Sequence, residues 1–282
     1  MKMYMTNYSM NNKIAVILPI YKKDKVNYLT LAINSILNQT YHNFKLYLGI
    51  DGPLEEELNT FLEQYEKHDQ IAIIRFQENR GLPCVLNDLI RLAIQEGFNY
   101  FARMDADDIS NPTRFEKQIY FLQENPDVDV VGGAIEEINS KGETRNKIIK
   151  YPTNSDKCRA YFSTRNPLAH PAVLFKKSYF DKAGFYNESY RQNQDTILWY
   201  EGFKKGCIFA NLTDVVLRFR MTEDLFRKRR NGLQYAIRTY NDRKRINKEL
   251  GYGFKANLFA LMMFIITIAP TWFRKLAYRI RK

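Results

Sequence analysis

Apolar positions along the chain change rhythm in a regular way. Residues 13–19, Lys-Ile-Ala-Val-Ile-Leu-Pro, form a continuous apolar run of strand length, the pattern of a strand covered on both faces in a parallel sheet. Leu29, Ala32, Ile33, Ile36 and Leu37 then recur at helical spacing. Residues 44–50 read as a second strand ending at Asp51-Gly52-Pro53, 54–65 as a helix, 71–76 as a third strand and 83–95 as a third helix. Residues 98–102 form a short aromatic strand. The order β-α-β-α-β-α-β predicts a doubly wound α/β sheet with helices on both faces. Further on, 114–125 reads as a helix closed by Asn125-Pro126, 128–138 as a long β-branched strand, and 215–219 as the last strand. Gly132-Gly133 inside the long strand predicts a bend or the close approach of a ligand.

In such sheets ligands bind outside the carboxyl ends of the strands, so the residues there carry the chemistry. The fourth strand delivers Arg103-Met104-Asp105-Ala106-Asp107-Asp108. Carboxylates packed this closely repel unless a cation joins them, and Asp oxygens are hard ligands suited to Mg²⁺ or Mn²⁺. A solvated loop is the alternative. A calcium loop fits only at Asp105, Asp107 and Glu116, since Ile109 and Ser110 stand where a ligand and a glycine are required. Asp51 ends the second strand, where it either accepts from a nucleoside or makes an Asp-Gly turn. Asn79-Arg80-Gly81 follows the third strand and offers Arg80 to a phosphate or to solvent, with Gly81 allowing close backbone approach. No Gly-x-Gly-x-x-Gly or Gly-Lys-Ser/Thr loop follows the first strand, which disfavours a dinucleotide-binding dehydrogenase and a P-loop enzyme. Asp195 stands at a helix start, as an N-cap or first-turn carboxylate or as a catalytic one.

Val16-Ile17-Leu18-Pro19-Ile20-Tyr21, Ser35-Ile36-Leu37-Asn38-Gln39-Thr40-Tyr41, Asp51-Gly52, Asn79-Arg80-Gly81 and Asp105-Ala106-Asp107-Asp108 stand in one order along the chain. Together they resemble glycosyltransferase family 2, from about residue 13 to about residue 220. The resemblance implies a GT-A fold, an inverting reaction, a UDP-sugar donor and Mn²⁺ or Mg²⁺. It implies Pro19, Tyr21, Asp51, Arg80 and Asp105 at the nucleotide sugar, Asp105 and Asp107 at the metal, and His170 of Asn166-Pro167-Leu168-Ala169-His170-Pro171 at the metal or acceptor. In Gln194-Asp195-Thr196-Ile197-Leu198-Trp199 the family's Glu-Asp pair is Gln-Asp. Asp195 then becomes the general base, with Gln194 and Trp199 beside the acceptor. The size, the tail and this variant are similar to bacterial O-antigen and capsule enzymes. They imply a glucose or galactose moved to GlcNAc- or GalNAc-diphosphoundecaprenol in β-linkage.

Charge refines the picture at the C-terminal end. Residues 218–282 hold 17 Lys and Arg against 4 Asp and Glu, a net of +13 in a 282-residue chain of net +12, which leaves the first 217 residues at −1. The expected organisation is a catalytic domain, 1–220, with nucleotide-sugar binding in about 13–110 and the acceptor part in about 111–220, followed by a basic helical tail, 221–282. Arg227 and Arg230 are candidates to fold over the donor diphosphate. The 12-residue apolar run 258–269 is too short for a bilayer span of roughly 20 residues. With the amphipathic, basic residues after it, it reads as a helix lying in a membrane interface of anionic lipids, or as a core helix closing the domain. Cys84, Cys158 and Cys207 are scattered and residues 1–12 are polar, so the expected location is the cytoplasmic face of the inner membrane. A sugar-nucleotide nucleotidyltransferase lacks its glycine-rich loop here, and a nucleic-acid-binding protein lacks any motif beyond the basic tail.

Overall fold

A computed structural model describes residues 12–221 and 232–269. β1 (Ile14–Ile20), β2 (Phe44–Ile50), β3 (Ile71–Arg75) and β4 (Tyr100–Arg103) alternate with α1 (Val26–Leu37), α2 (Glu56–Glu63) and α3 (Leu82–Gln95). They form the parallel half of the sheet, in the order β3-β2-β1-β4. β1 shows why its sequence is apolar throughout. Ile14, Val16, Leu18 and Ile20 face one core with α1, α2 and α4 (Arg114–Glu124), while Ala15 and Ile17 face a second core with α3. A strand covered on both sides has no polar face to display.

Beyond β4 the sheet turns mixed. β8 (Leu174–Lys176) runs antiparallel to β4, β6 (Val130–Ile138) antiparallel to β8, β9 (Phe209–Arg220) parallel to β6, and β5 (Ile109–Ser110) antiparallel to β9. β7 (Thr144–Ile149) pairs with the far end of β6. The second core gathers α5 (Ser155–Phe162), α6 (Lys177–Ala183) and α7 (Gln194–Lys204) around Trp199, Phe175 and Phe209. The glycine pair in β6 serves this packing rather than a ligand. A Cβ at Gly132 would lie 2.3 Å from Asn211 Oδ1, one at Gly133 2.7 Å from Val216, and the β6–β9 register shifts just after them.

Helix α8 (Leu233–Glu249) packs back on this body. Ile246 and the following Leu250 belong to the second core, Asp242 accepts from Tyr190, and Glu249 accepts from Tyr200 and Lys204. The boundary expected at residue 220 thus precedes a helix docked on the catalytic body. α9 (Phe254–Ile268) follows with Phe254, Leu258, Leu261, Met262, Ile265 and Ile268 all exposed and Ala256 and Ala260 turned inward. No helix among the described residues is long and apolar enough to cross a membrane.

Candidate active site

The carboxyl ends of β1, β2 and β4 lie side by side, and the loops that leave them build the site. Asp51 is buried at the end of β2 and gathers the loop after β3. Its Oδ1 accepts from the backbone N–H of Arg80 (2.8 Å), and its Oδ2 accepts from the Asn79 amide (2.9 Å) and the Gly81 N–H (3.0 Å). Gly52 is needed beside it: at φ +83° its missing Cβ would lie 2.6 Å from the Asn79 nitrogen. Arg80 ion-pairs with Asp88 and lies 4.7 Å over the Phe76 ring, at an open groove lined also by Arg75, Gln77 and Glu78. Pro19 and Tyr21 are half-buried at the end of β1, where the Tyr21 N–H donates to Asp24.

The turn after β4 brings carboxylate oxygens of Asp105, Asp107 and Asp108 within 4.8 Å of one another. Asp108, which the sequence reading grouped with the other two at the cation without assigning it as a ligand, is the most buried of the three. One of its oxygens accepts the Arg220 N–H at 2.8 Å, and Oδ2 has no hydrogen-bond partner among the described residues. Burial, then the charges of Asp107 and Asp105, push its carboxyl well above the ordinary Asp range. An orphaned buried oxygen inside a set of hard oxygen donors fits a divalent cation such as Mg²⁺ or Mn²⁺.

Three buried arginines surround this turn. Arg103 ion-pairs with Asp105, Arg220 donates from Nε to the Asp107 carbonyl (2.7 Å), and Arg114 donates from Nη2 to the carbonyls of Arg103 (2.9 Å) and Val173 (3.1 Å). Burial, with Arg103 adding to it, lowers Arg114 to about 9. Sequence reasoning missed Arg114 and Arg220. Their signal was only that a long charged residue stood where the pattern required a core position.

Asp195 sits in the first turn of α7, its Oδ1 accepting the Thr196 N–H (2.8 Å) and its Oδ2 the Asn166 side-chain amide (2.9 Å). Gln194 is half-buried beside it. Burial pushes the Tyr186 hydroxyl up, the Arg103 charge opposes this and the charges of Asp195 and Asp105 add to it, so Tyr186 lies within electrostatic reach of both carboxylates. His170, expected at the metal or the acceptor, is buried. Its Nε2 meets the Tyr186 hydroxyl at 2.7 Å, and it stands outside the carboxylate group. Burial, then the Arg103 charge, hold it well below the usual His range, so the ring is neutral. Trp199 is reassigned. Its side chain is fully buried against Phe175, Phe209 and His170, which removes it from any acceptor surface. The Trp199 expectation fails for a physical reason: a large ring on the same helix as a catalytic residue usually points into the core. Arg227 and Arg230 lie outside the described residues.

The Glycosyl transferase family 2 profile matches residues 15–184, which carry the strand ends described above and the acidic turn. A UDP-Gal:alpha-D-GlcNAc-diphosphoundecaprenol beta-1,3-galactosyltransferase of Escherichia coli is 29% identical over 95% of this chain and 95% of its own. The O-antigen biosynthesis glycosyltransferase WbnJ, also of Escherichia coli, is 33% identical over 74% of this chain and 79% of its own. Among solved structures, S. aureus TarS 1–349 in complex with UDP-GlcNAc superimposes with a TM-score of 0.60 at 15% identity, over 91% of this chain and 82% of that one. This chain spans 42% of the longer TarS chain. The likeness shows the GT-A fold, a half-parallel sheet that becomes mixed beyond the nucleotide-binding strands. With the profile covering more than half of the chain and the residues that build the cleft, this protein belongs to glycosyl transferase family 2 and is a glycosyltransferase.

Proposed function

We propose that the protein transfers a hexose, glucose or galactose, from a UDP-sugar to a lipid-linked sugar diphosphate of the GlcNAc- or GalNAc-diphosphoundecaprenol type. The linkage formed is β, in O-antigen or capsule assembly. The observation that carries this reading is the pairing of one acidic turn, tied through Arg103 to the small cavity that Tyr186 lines, with one separate, hydrogen-bonded carboxylate, Asp195. An inverting transferase needs those two parts: a site for the leaving diphosphate and a base on the opposite side of the sugar.

Asp51 holds the Asn79–Gly81 loop against the nucleoside, and Pro19 and Tyr21 flank it from β1. Asp105 and Asp107, with Asp108 beside them, hold the cation. When bound, Mn²⁺ or Mg²⁺ supplies positive charge to the diphosphate as it leaves. Asp195 takes the proton of the acceptor hydroxyl as its oxygen bonds to the anomeric carbon, while the bond from that carbon to the diphosphate oxygen breaks on the other face. Gln194 lies next to the base and contacts the acceptor. Attack from the opposite face inverts the centre, so an α-linked donor yields a β-linked product.

The lipid acceptor requires a membrane, and α9 offers a way to meet one. At 1.5 Å per residue its 15 residues span roughly 22 Å, short of the roughly 30 Å hydrocarbon core. A short helix with apolar residues exposed, following α8 with Arg238, Lys244 and Lys248, suits an anionic membrane surface on the cytoplasmic side.

The test is a panel of radiolabelled UDP-sugars with Mn²⁺ and a synthetic GlcNAc-diphosphate-lipid, with the product linkage determined. Transfer of one hexose in β-linkage is expected, lost in Asp195→Asn while UDP binding survives. Failure of every nucleotide sugar with every diphosphate-lipid would sink the reading. Deletion of residues 258–282 should release the protein from membranes; unchanged sedimentation would refute the membrane role.

A further inference from the structure

Asp195 is placed by a short hydrogen-bond chain that begins on α8. Its Oδ2 accepts from Asn166 Nδ2 at 2.9 Å. The orientation of the Asn166 amide is fixed from its other end, because Oδ1 accepts from Thr196 Oγ1 (3.1 Å) and Arg243 Nη2 (3.4 Å). Two donors on that oxygen leave only the nitrogen to face the carboxylate. Arg243 is itself located by its Nη1 bond to the Phe162 carbonyl (2.9 Å) and by the Phe162 ring, 4.9 Å away. A second tie runs to the residue that starts α7. Asn193, in the left-handed region at φ 59°, donates to Thr239 (2.9 Å) and accepts from Tyr235 (3.2 Å), both on α8. The helix that carries Asp195 therefore starts on α8, and its carboxylate is oriented from α8.

We propose that Asn166 is a positioning residue for Asp195 and that Arg243 acts through it, so that α8 sets the direction in which the base presents its carboxylate to the acceptor hydroxyl. This rests on reading Asp195 as the general base. The acceptor must meet one oxygen of that carboxylate in line with the anomeric carbon, and a misplacement of about 1 Å costs roughly 100-fold in rate. A carboxylate held by one donor on each oxygen keeps lone pairs available while losing its rotational freedom. The groups bonded to it are the Asn166 amide and the Thr196 N–H of α7; Arg243 of α8 reaches it through Asn166, and the Asp195 charge acts on the Tyr186 hydroxyl.

Asn166→Asp is the informative variant. It keeps the size of the side chain and an acceptor for Thr196 and Arg243, but it cannot donate to Asp195 and sets a second carboxylate against it. The expected result is a kcat lowered about 10- to 100-fold. The acid limb of the kcat–pH profile should move to higher pH, because a neighbouring negative charge raises the pKa of the base. The KM for the UDP-sugar should stay at its wild-type value, while the melting temperature falls by about a few degrees for the lost hydrogen bond and the like-charge contact. Arg243→Gln should lower kcat in the same direction by a smaller factor with the donor KM unchanged, and it decides the matter if Asn166→Asp does not fold. A wild-type kcat and acid limb in Asn166→Asp would overturn the proposal. So would a fall in kcat matched by a lower melting temperature with no movement of the limb. Asp195→Asn is measured alongside: if it turns over normally, the assignment of the base fails first, whereas an inactive Asp195→Asn beside an unaffected Asn166→Asp removes only the positioning role.

Discussion

Asp51→Asn separates a carboxylate that holds a loop from one that only touches a ligand. The carboxylate is 5% exposed and receives the Arg80 N–H, the Gly81 N–H and the Asn79 amide, with the Gly81 N–H reaching Oδ1 as well at 3.3 Å. Asparagine turns one of the two oxygens into a donor that faces another donor, and the bonds that survive lose their charge assistance. Hydrogen bonds to charged groups contribute about 1.5–3 kcal/mol each and neutral ones about 0.5–1.5 kcal/mol, so losing one outright and weakening the rest costs roughly 2–4 kcal/mol. For a domain of this size that corresponds to a melting temperature lowered by roughly 5–10 °C. Calorimetry gives the first readout and UDP titration the second, in which affinity should fall together with stability because the loop loses its register. A variant that melts with wild type but binds UDP more weakly would make Asp51 a ligand contact alone and refute the loop-holding argument.

Three further outcomes follow from the same geometry. His170 is held neutral by burial and Arg103, so its folded pKa lies below the unfolded value of about 6.5. As pH falls below that value the unfolded chain takes up a proton that the folded protein refuses. Stability should therefore decline toward acid by up to about 1.4 kcal/mol per pH unit from this group, and the difference between wild type and His170→Gln in urea titrations from pH 7 to 5 should show that slope. Parallel curves would refute it. Gly132→Ala should destabilise by roughly 1–3 kcal/mol, because Asn211, which would lie against the new methyl, is pinned to the carbonyls of Pro152 and Pro167; a neutral effect in thermal unfolding would contradict the packing. Asp107→Asn should raise the Mn²⁺ concentration for half-maximal transfer on the order of tenfold or more, and a chelator should abolish wild-type transfer; activity indifferent to both would refute the cation site.

The parallel half of the fold was legible because its signals are local. Unbroken apolar runs of β1 and β2, helical spacing in α1 and α3, and polar residues at each strand end all agree within short windows. The mixed half was harder to read for a stated reason. β5 is two residues long and β8 three, and β7 is mostly exposed, so none generates a hydrophobic period of its own; pairing with β9, β4 and β6 creates them. At the site, Asp105, Asp107 and Asp195 stood out as carboxylates at element ends. Asn166 did not, because its role depends on a partner 29 residues away and on Arg243, 77 residues away. Trp199 misled because residue type and proximity in sequence do not say which way a ring points.

The buried arginines give the acidic turn its electrostatic logic. Asp105, Asp107 and Asp108 face Arg103, Arg114 and Arg220 from β4, α4 and β9, and burial with the charges of Asp107 and Asp105 pushes the Asp108 carboxyl toward its neutral form. Without those arginines, carboxylates in a partly desolvated turn would repel more strongly still, so the arginines let the turn exist before anything binds. They nonetheless leave the turn receptive. Arg114 donates to backbone carbonyls, Gln118 and the Met104 sulfur, and Arg220 donates to the carbonyls of Asp107, Asn139 and Ser140, so both fix the path of the chain without occupying a carboxylate. Arg103 alone ion-pairs with one, and Asp108 keeps a buried oxygen without a partner. A divalent cation arriving with a doubly charged diphosphate adds no net charge to the turn, whereas either one alone would change its charge by two. Cation and donor, opposite in charge, should therefore bind with positive coupling, each tightening the other by the same factor as linkage requires.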